Sequence, residues 1–183
     1  ATTMQLSTAK ALLEIDPERA KVHIAEAEQL AKSVQKELSG LIEELRPAQL
    51  EGQGLFAAVH SSAEIFTRRH SIPVDVRLRG KRELPLTIEQ PMFRILQEAF
   101  NHIAKHSQAT QVTITLSATN DTLSLVIHDN GVGFNQADAQ GDGIGLHSMQ
   151  ERITQINGKL KIKSSPENGT TISAECPIRK DEG

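Results

Sequence analysis

The sequence predicts an α+β fold in which helices cover one face of a mostly antiparallel sheet, with a helical hairpin in front of it. Apolar residues follow a heptad spacing between positions 17 and 45. Beyond position 50, short segments of alternating apolar residues are separated by stretches with helical spacing. Helices and strands mixed in this way are typical of a sheet whose helices lie on one side.

The first 50 residues predict a helical hairpin that dimerises. Asp16 and Pro17 supply an N-cap and a helix-starting proline, and Pro47 ends the long helix. Residues 2–14 form a second helical stretch. The apolar positions of the long helix, called here the heptad seam, are Ala20, Ile24, Ala27, Ala31, Val34, Leu38, Leu41 and Leu45. Because one hairpin cannot cover this seam, we expect two hairpins to form a four-helix bundle, in preference to a helical linker.

Residues 51–183 form the second predicted domain. A helix is expected over 54–70, another from a capping box at Thr87 and Gln90 to about His106, and a third over 146–156. The predicted strands are 74–78, 112–116, 123–127, 160–163 and 171–176. A turn at Asn120-Asp121 should join the second strand to the third as a hairpin.

Composition excludes several classes of protein. The net charge of −3, from 20 basic and 23 acidic residues spread along the chain, gives no basic patch for direct binding of nucleic acid. A single cysteine, Cys176, excludes an internal disulfide and is interpreted as a small core residue. No apolar run approaches the roughly 20 residues of a membrane span, and the first residues lack the basic and apolar regions that are typical of a signal peptide. We therefore expect a cytoplasmic segment without membrane contact, although a longer parent protein could be membrane anchored.

The predicted helix of residues 88–106 carries two different faces. Its apolar stripe is Met92, Ile95, Leu96, Ala99 and Ile103. Glu98 and His102 are four residues apart, and Lys105 and His106 continue the same neighbourhood one turn later. Taken alone, such a polar face is ordinarily a solvated helix surface.

Three short motifs contain glycine. Residues 129–134 (DNGVGF) follow an apolar strand, where a carboxylate can accept a hydrogen bond from a ligand amine and glycines allow close approach. Residues 141–146 (GDGIGL) lead into a helix whose N-terminus suits phosphate oxygens, yet they match neither a Walker A loop nor the GxGxxG fingerprint. Residues 169–171 (GTT) place hydroxyls beside a glycine. Alone, 129–134 could be a plain turn, and a calcium loop is disfavoured because the acidic periodicity is absent.

In their order and spacing, these motifs resemble the N, G1, G2 and G3 boxes of the GHKL ATPases, and more closely those of sensor histidine kinases. The four boxes correspond to residues 97–109, 129–134, 141–146 and 169–171. The pattern QEAxxxIxKHSQA, with GLxxMxER at 145–152 and LRP at 45–47, resembles the NarL-partnered subfamily that has a HisKA_3 dimerisation domain. The resemblance covers essentially the whole chain. It implies a two-layer α/β sandwich at 51–183 after a dimerisation and phosphoacceptor hairpin at 1–50.

The resemblance implies ATP and Mg²⁺ as cofactors and assigns roles to residues. Asp129 would bind the adenine amino group, with Gly131 and Gly133 beside the base. Glu98 would be the catalytic residue near the magnesium and the phosphates. The other implied cofactor-binding residues are Asn101, His102, Lys105, His106, Gly143, Gly145, Leu146 and Thr170. Residues 135–141 would form a mobile lid over ATP.

Position 102 departs from the family pattern. His102 stands where the N box has the asparagine whose oxygen helps to hold magnesium. Magnesium prefers oxygen ligands, whereas imidazole better suits zinc, copper or nickel, so we expect metal-assisted catalysis to be impaired. Asn101 is adjacent, but one residue turns a helix by about 100°, so it cannot simply replace the missing ligand.

The resemblance implies transfer of the ATP γ-phosphoryl to a histidine of the dimerisation helix, and then to a response regulator of the NarL type. No histidine precedes His23 in the hairpin. The acceptor is expected before an aspartate on a helix, whereas His128, the only histidine directly followed by an aspartate, lies at a strand end. We therefore expect the acceptor upstream of residue 1, and this chain alone to bind ATP without autophosphorylating. One alternative is a nucleotide-binding but catalytically weak module that acts by conformation or as a phosphatase scaffold. Another is a GHKL protein-serine kinase of the anti-sigma type, which the hairpin disfavours.

Overall fold

The computed structural model describes residues 2–13, 15–44, 50–135 and 144–178. Its contacts divide the chain into two compact units, Ala1–Arg46 and Pro47–Gly183. Leu50, which the sequence assigned to the hairpin domain, is fully buried in the hydrophobic core of the second unit. Among the described residues, no helix combines the length and the hydropathy that a membrane span requires.

The first unit is an antiparallel hairpin of two helices, α1 (Thr2–Leu12) and α2 (Pro17–Glu44). Asp16 Oδ1 accepts a hydrogen bond from the Arg19 backbone N–H at 3.2 Å, which confirms the predicted N-cap. Gln5 Nε2 of α1 donates to Glu26 Oε2 of α2 at 3.2 Å. The expected end of α2 near residue 46 lies outside the described residues.

Helix α1 covers only part of the heptad seam. Ala20 and Ala27 are buried, whereas Ile24 is 36% exposed and Val34 is 46% exposed. The side chains of Leu38, Leu41 and Leu45 lie outside the described part of the chain. Within the described part, the hairpin therefore leaves apolar seam positions open to solvent.

The second unit is built on a five-stranded sheet of order β1-β2-β3-β5-β4. β1 is parallel to β2, and the other neighbouring pairs are antiparallel. The strands are β1 (Val74–Arg79), β2 (Val112–Ala118), β3 (Thr122–Asp129), β4 (Lys159–Ser164) and β5 (Thr170–Pro177). All five predicted strands are confirmed. The predicted turn between β2 and β3 is confirmed as well, because the Thr119 N–H donates to Thr122 O at 2.9 Å.

Three helices cover one face of this sheet: α3 (Gly54–His70), α4 (Leu86–His102) and α5 (Ile144–Gln155). Alternate residues of the central strands β2 and β3 are buried in the core shared with these helices. They are Val112, Ile114, Leu116, Leu123, Leu125 and Ile127. The predicted α+β class, with its helices on one side of the sheet, is therefore confirmed.

The predicted capping box at Thr87 and Gln90 is wrong. α4 begins at Leu86, and Pro85 precedes it in an extended conformation with φ −59° and ψ 142°. Pro85 O accepts the first helical hydrogen bonds from the backbone N–H groups of Ile88 and Glu89. Thr87 already lies inside the helix, and a residue with helical backbone angles cannot act as the N-cap.

Glu89 joins the start of α3 to α4. Its side chain is 5% exposed, and its Oε1 accepts a hydrogen bond from the Leu55 N–H at 2.9 Å. The first N–H groups of a helix have no partner within that helix, so this carboxylate satisfies one of them for α3. A charged residue beside the apolar stripe of α4 was the sequence signal that could have predicted this role.

We expect Glu89→Ala to lower the free energy of unfolding by about 1–3 kcal/mol, because it leaves the Leu55 N–H buried without an acceptor. Urea unfolding followed by circular dichroism would measure the loss. Glu89→Gln keeps an acceptor oxygen and should lose less, and Glu83→Ala, at an exposed position, is the matched control. A loss for Glu89→Ala no larger than that for Glu83→Ala would contradict the assigned role.

The helix that carries the apolar stripe does not continue as a regular α-helix to His106. Regular α-helix ends at His102, and a π-helical turn covers Ile103–Ser107. Ser107 is buried, its Oγ donates to Ile103 O at 2.9 Å, and the same Oγ accepts a hydrogen bond from the Ala109 N–H at 3.1 Å. Single π turns of this kind occur frequently at functional sites.

Candidate functional site

The end of β3 and the start of β5 bring Asp129 and Thr170 together. The register of β3 and β5 pairs these two residues directly, and their side chains are 3% and 5% exposed. Asp129 Oδ1 accepts a hydrogen bond from the Gly131 N–H at 2.9 Å. Within the described residues, the second carboxylate oxygen, Oδ2, accepts no hydrogen bond. It is therefore available to accept one from a ligand amine.

Glycine is required at three positions around Asp129, which we call the glycine cradle: Gly131, Gly133 and Gly169. A Cβ on Gly131 would collide with Ser107 O, one on Gly133 with Ser165 O, and one on Gly169 with Asp129 O. Gly133 and Gly169 also have positive φ angles of 62° and 67°. The neighbours that exclude a side chain are backbone atoms of the protein itself. Close packing between loops therefore explains these glycines before any ligand is considered.

Ser164 and Asn130 fix the loop that follows β3. Ser164 Oγ accepts a hydrogen bond from the Phe134 N–H at 2.9 Å and donates one to Gly169 O at 3.1 Å. The same Oγ lies 2.9 Å from Thr170 Oγ1. Asn130 Oδ1 accepts hydrogen bonds from the N–H groups of residues 110 and 111, each at 2.9 Å. The loop is thereby held between two neighbouring segments, which pre-organises the surroundings of Asp129. Ser164 carried no sequence signal, since serine is ordinary at a strand end.

The predicted catalytic residue, Glu98, lies against the start of α5. A Cβ on Gly145 would collide with Glu98 Oε1, so glycine at this position permits the approach of the carboxylate. The first turn of a helix carries partial positive charge and unpaired N–H groups, which favour a negative group nearby. The structure thus brings together two residues that are 47 positions apart and that the sequence assigned to the N and G2 boxes.

His102 is half-buried beside Phe134 and His106. Its ring centroid is 6.1 Å from that of Phe134, in an edge-on arrangement, and 5.3 Å from that of His106. Burial lowers the pKa of His102, and His106 lowers it further, whereas Asp129 and Glu98 act in the opposite direction without overcoming the effect. The neutral imidazole is therefore the favoured form in the folded protein.

This lowered pKa predicts a specific dependence of stability on pH. The unfolded chain binds a proton at His102 more readily than the folded one, so stability rises with pH in this range. The contribution of a neutral His102 to the free energy of unfolding is fully present above the ordinary histidine pKa of 6.5, and it is lost as the pH falls below that value. We expect His102→Asn to lose less unfolding free energy on acidification between about pH 8 and pH 5. Urea unfolding across that range measures this, with His60→Asn as the control, and parallel pH curves for His102→Asn and the unsubstituted chain would contradict it.

The remaining predicted residues are placed differently. Asn101 lines a groove of about 340 Å³ between α3 and α4, together with Phe66 and Arg69. Lys105 is exposed and forms no ion pair with a described residue. Leu146 packs against the hydrophobic core. Gly143 and most of the predicted lid lie outside the described residues.

The residues present fit a purine nucleotide better than they fit magnesium. Asp129 Oδ2 offers an acceptor that has no partner among the described residues, beside a pre-organised loop, as recognition of an exocyclic amine requires. In contrast, the imidazole of His102, which interacts electrostatically with the Glu98 carboxylate, is a poor ligand for Mg²⁺. The described residues contain no group of three or more His, Cys, Asp or Glu side chains able to hold a metal ion.

Two known protein families match the chain. Residues 87–180 match the family of histidine kinase-, DNA gyrase B-, and HSP90-like ATPases, and residues 1–50 match the HisKA_3 histidine kinase family. The chain belongs to the first of these families, since the match covers more than half of its length. The match at residues 1–50 relates the chain further to histidine kinases that carry a HisKA_3 domain.

The similar curated proteins are sensor kinases. The chain is 33% identical over 155 residues to the sensor histidine kinase LiaS of Bacillus subtilis, covering 85% of this chain and 43% of LiaS. It is 32% identical over 182 residues to the sensor protein VraS of Staphylococcus epidermidis, covering 100% of this chain and 51% of VraS. A kinase/phosphatase, DegS of Brevibacillus brevis, is 32% identical over 160 residues, with 87% and 42% covered. The chain spans about half the length of these relatives.

Solved structures share the fold. The histidine kinase domain of the blue-light activated kinase from Erythrobacter litoralis EL346 aligns with a TM-score of 0.56 at 13% identity, covering 97% of this chain and 92% of that one. The mycobacterial sensor histidine kinase MprB aligns with a TM-score of 0.51 at 22% identity, covering 66% and 92%. At these identities the similarity supports the two-layer fold alone.

Proposed function

We propose that this chain is the catalytic region of a two-component sensor histidine kinase that binds ATP at Asp129 in the cytoplasm. In the longer protein, the γ-phosphoryl group would pass to a histidine of the dimerisation helices upstream of residue 1, and then to a response regulator of the NarL type. The observation that carries the proposal is the buried carboxylate of Asp129, which has one free oxygen beside the glycine cradle and Thr170.

The proposed roles follow from where the side chains lie. Asp129 Oδ2 accepts the adenine amine, and its Oδ1 stays bound to the Gly131 N–H, so the base is oriented by a carboxylate that cannot rotate freely. Glu98 lies at the N-terminus of α5, where the triphosphate is expected. Lys105 and His106 are both exposed on the turn after α4 and offer positive charge or a hydrogen bond to the phosphate tail. ATP, when bound, supplies the phosphoryl group.

Homodimerisation through the hairpin is part of this proposal. Ile24 and Val34 of the heptad seam remain exposed, and so do Met4 and Leu6 of α1. A second hairpin that packed against these residues would remove their apolar surface from water and complete a four-helix bundle. Sedimentation equilibrium of the 183-residue chain tests this, and a strictly monomeric chain at high concentration would contradict it.

Calorimetric titration of this chain with ADP and with ATP tests the central part of the proposal. Binding with one nucleotide per chain is expected, and the chain alone should show no autophosphorylation. Absence of binding to both nucleotides would contradict the assignment of Asp129.

The second candidate is a nucleotide-binding module with weak phosphoryl transfer, acting by conformation or as a phosphatase scaffold. The specific observation in its favour is His102, because its imidazole occupies the position where an oxygen ligand for magnesium is expected. The two candidates share the nucleotide site and differ in turnover. Phosphoryl transfer with His102 and with asparagine at this position separates them.

A further inference from the structure

We propose that His102 and His106 form a two-imidazole binding site for a divalent transition metal ion such as Zn²⁺. This site does not depend on the proposed nucleotide function, since it is formed by protein side chains alone.

The first argument is geometric. His102 is the last residue of α4, and His106 follows four residues later in the π-helical turn, which brings the two rings next to each other. Their ring centroids are 5.3 Å apart, with the ring planes inclined at 52°. Pairs of histidines at this spacing on one helix face are a recurrent arrangement for binding zinc. Phe134, edge-on to His102, further limits the freedom of that ring.

The second argument is the availability of the ring nitrogens. Four of the seven histidines in the sequence have a ring nitrogen close to a side-chain oxygen. These pairs are His23 with Glu26, His60 with Glu64, His128 with Thr171, and His147 with Glu151. Neither His102 nor His106 forms a hydrogen bond or an ion pair with a described residue, so their nitrogens remain available for a metal ion.

The third argument is electrostatic and chemical. The carboxylates of Glu98 and Asp129 lie close enough to interact electrostatically with His102, which favours a cation at this place. Imidazole is a better ligand for zinc, copper and nickel than for magnesium. Since no group of three ligating side chains is present among the described residues, water completes the coordination. The histidine at position 102, which disfavours magnesium, thus provides a ligand for a softer metal.

Titration of the 183-residue chain with Zn²⁺, without nucleotide, tests the proposal through the imidazole resonances in ¹H–¹⁵N NMR spectra. The resonances of His102 and His106 should shift together at one equivalent of metal. Loss of either ligand, by His102→Asn or His106→Ala, should weaken Zn²⁺ binding on the order of 10- to 100-fold. Loss of a group that only supports a metal ligand already has an effect of this size, so loss of the ligand itself should have at least the same effect. His60→Ala is the control, because His60 also has a possible ligand, Glu64, four residues away. It should leave the affinity for Zn²⁺ unchanged.

Three outcomes would overturn the proposal: a parallel response of all histidines to the metal, an affinity within twofold of the unsubstituted chain for His102→Asn, or displacement of Zn²⁺ by equimolar Mg²⁺. Far-ultraviolet circular dichroism of each variant separates loss of a ligand from loss of the fold. Because nucleotide is absent, failure of ATP binding leaves this result unaffected.

Discussion

Asp129→Asn should weaken the binding of ADP and ATP by roughly 10- to 100-fold, the loss expected for a hydrogen bond to a charged group worth about 1.5–3 kcal/mol. The substitution keeps the oxygen that accepts the Gly131 N–H and replaces the free carboxylate oxygen by an amide donor. A donor at this position would oppose the adenine amine. The folded loop should therefore persist while recognition of the base is lost.

Isothermal titration calorimetry with ADP measures this effect without interference from turnover. Asp121→Asn is the matched control, because it removes an exposed carboxylate from the turn at the other end of β3. Urea unfolding of Asp129→Asn checks that the domain is intact. Unchanged affinity in a folded Asp129→Asn protein would contradict the placement of the adenine at β3.

His102→Asn should raise magnesium-dependent phosphoryl transfer by roughly 10- to 100-fold, equivalent to about 1.4–2.7 kcal/mol of transition-state stabilisation. The reason is the ligand chemistry at this position. An amide oxygen suits Mg²⁺, whereas the half-buried imidazole of His102 offers only ring nitrogens, which suit that ion poorly. The effect should fall on turnover, with nucleotide affinity measured separately for both proteins.

Labelling by radioactive ATP measures this transfer in a longer protein that includes the dimerisation histidine. His60→Asn, on α3, controls for the loss of a histidine elsewhere. Equal and robust labelling with His102 and with asparagine would defeat the idea that position 102 limits catalysis. Labelling in neither protein, with nucleotide binding intact, would favour the weak nucleotide-binding module.

Much of the fold could be predicted because its signals are local. Alternating apolar residues located all five strands, since side chains of a strand point to opposite faces in turn. The heptad seam located α2, and Asp16 located its start. The capping box at Thr87 failed because a hydroxyl and an amide three residues apart also occur inside helices. The helix begins after Pro85 because that residue has an extended backbone, and the local sequence does not predict this conformation.

The site was predictable as a set of motifs and much less so as a geometry. Their order identified the family, which the comparisons confirm, and the identity of residue 102 is a fact of sequence alone. Asn101 lies toward α3, in keeping with the turn of about 100° between neighbouring helical residues. The roles of individual residues toward ATP stay predictions until binding is measured.

The sequence by itself determined the strands, the hairpin, the family and the unusual histidine at position 102. The tertiary structure alone decided which distant groups meet. Ser164 accepts a hydrogen bond from the Phe134 N–H 30 residues away, and Glu89 accepts one from the Leu55 N–H 34 residues away. Such contacts depend on strand register and helix packing, because a buried polar group must find its partner wherever the folded chain places one. The physical reason is that periodicity encodes which face of an element is buried, whereas only the assembled fold determines what lies against that face.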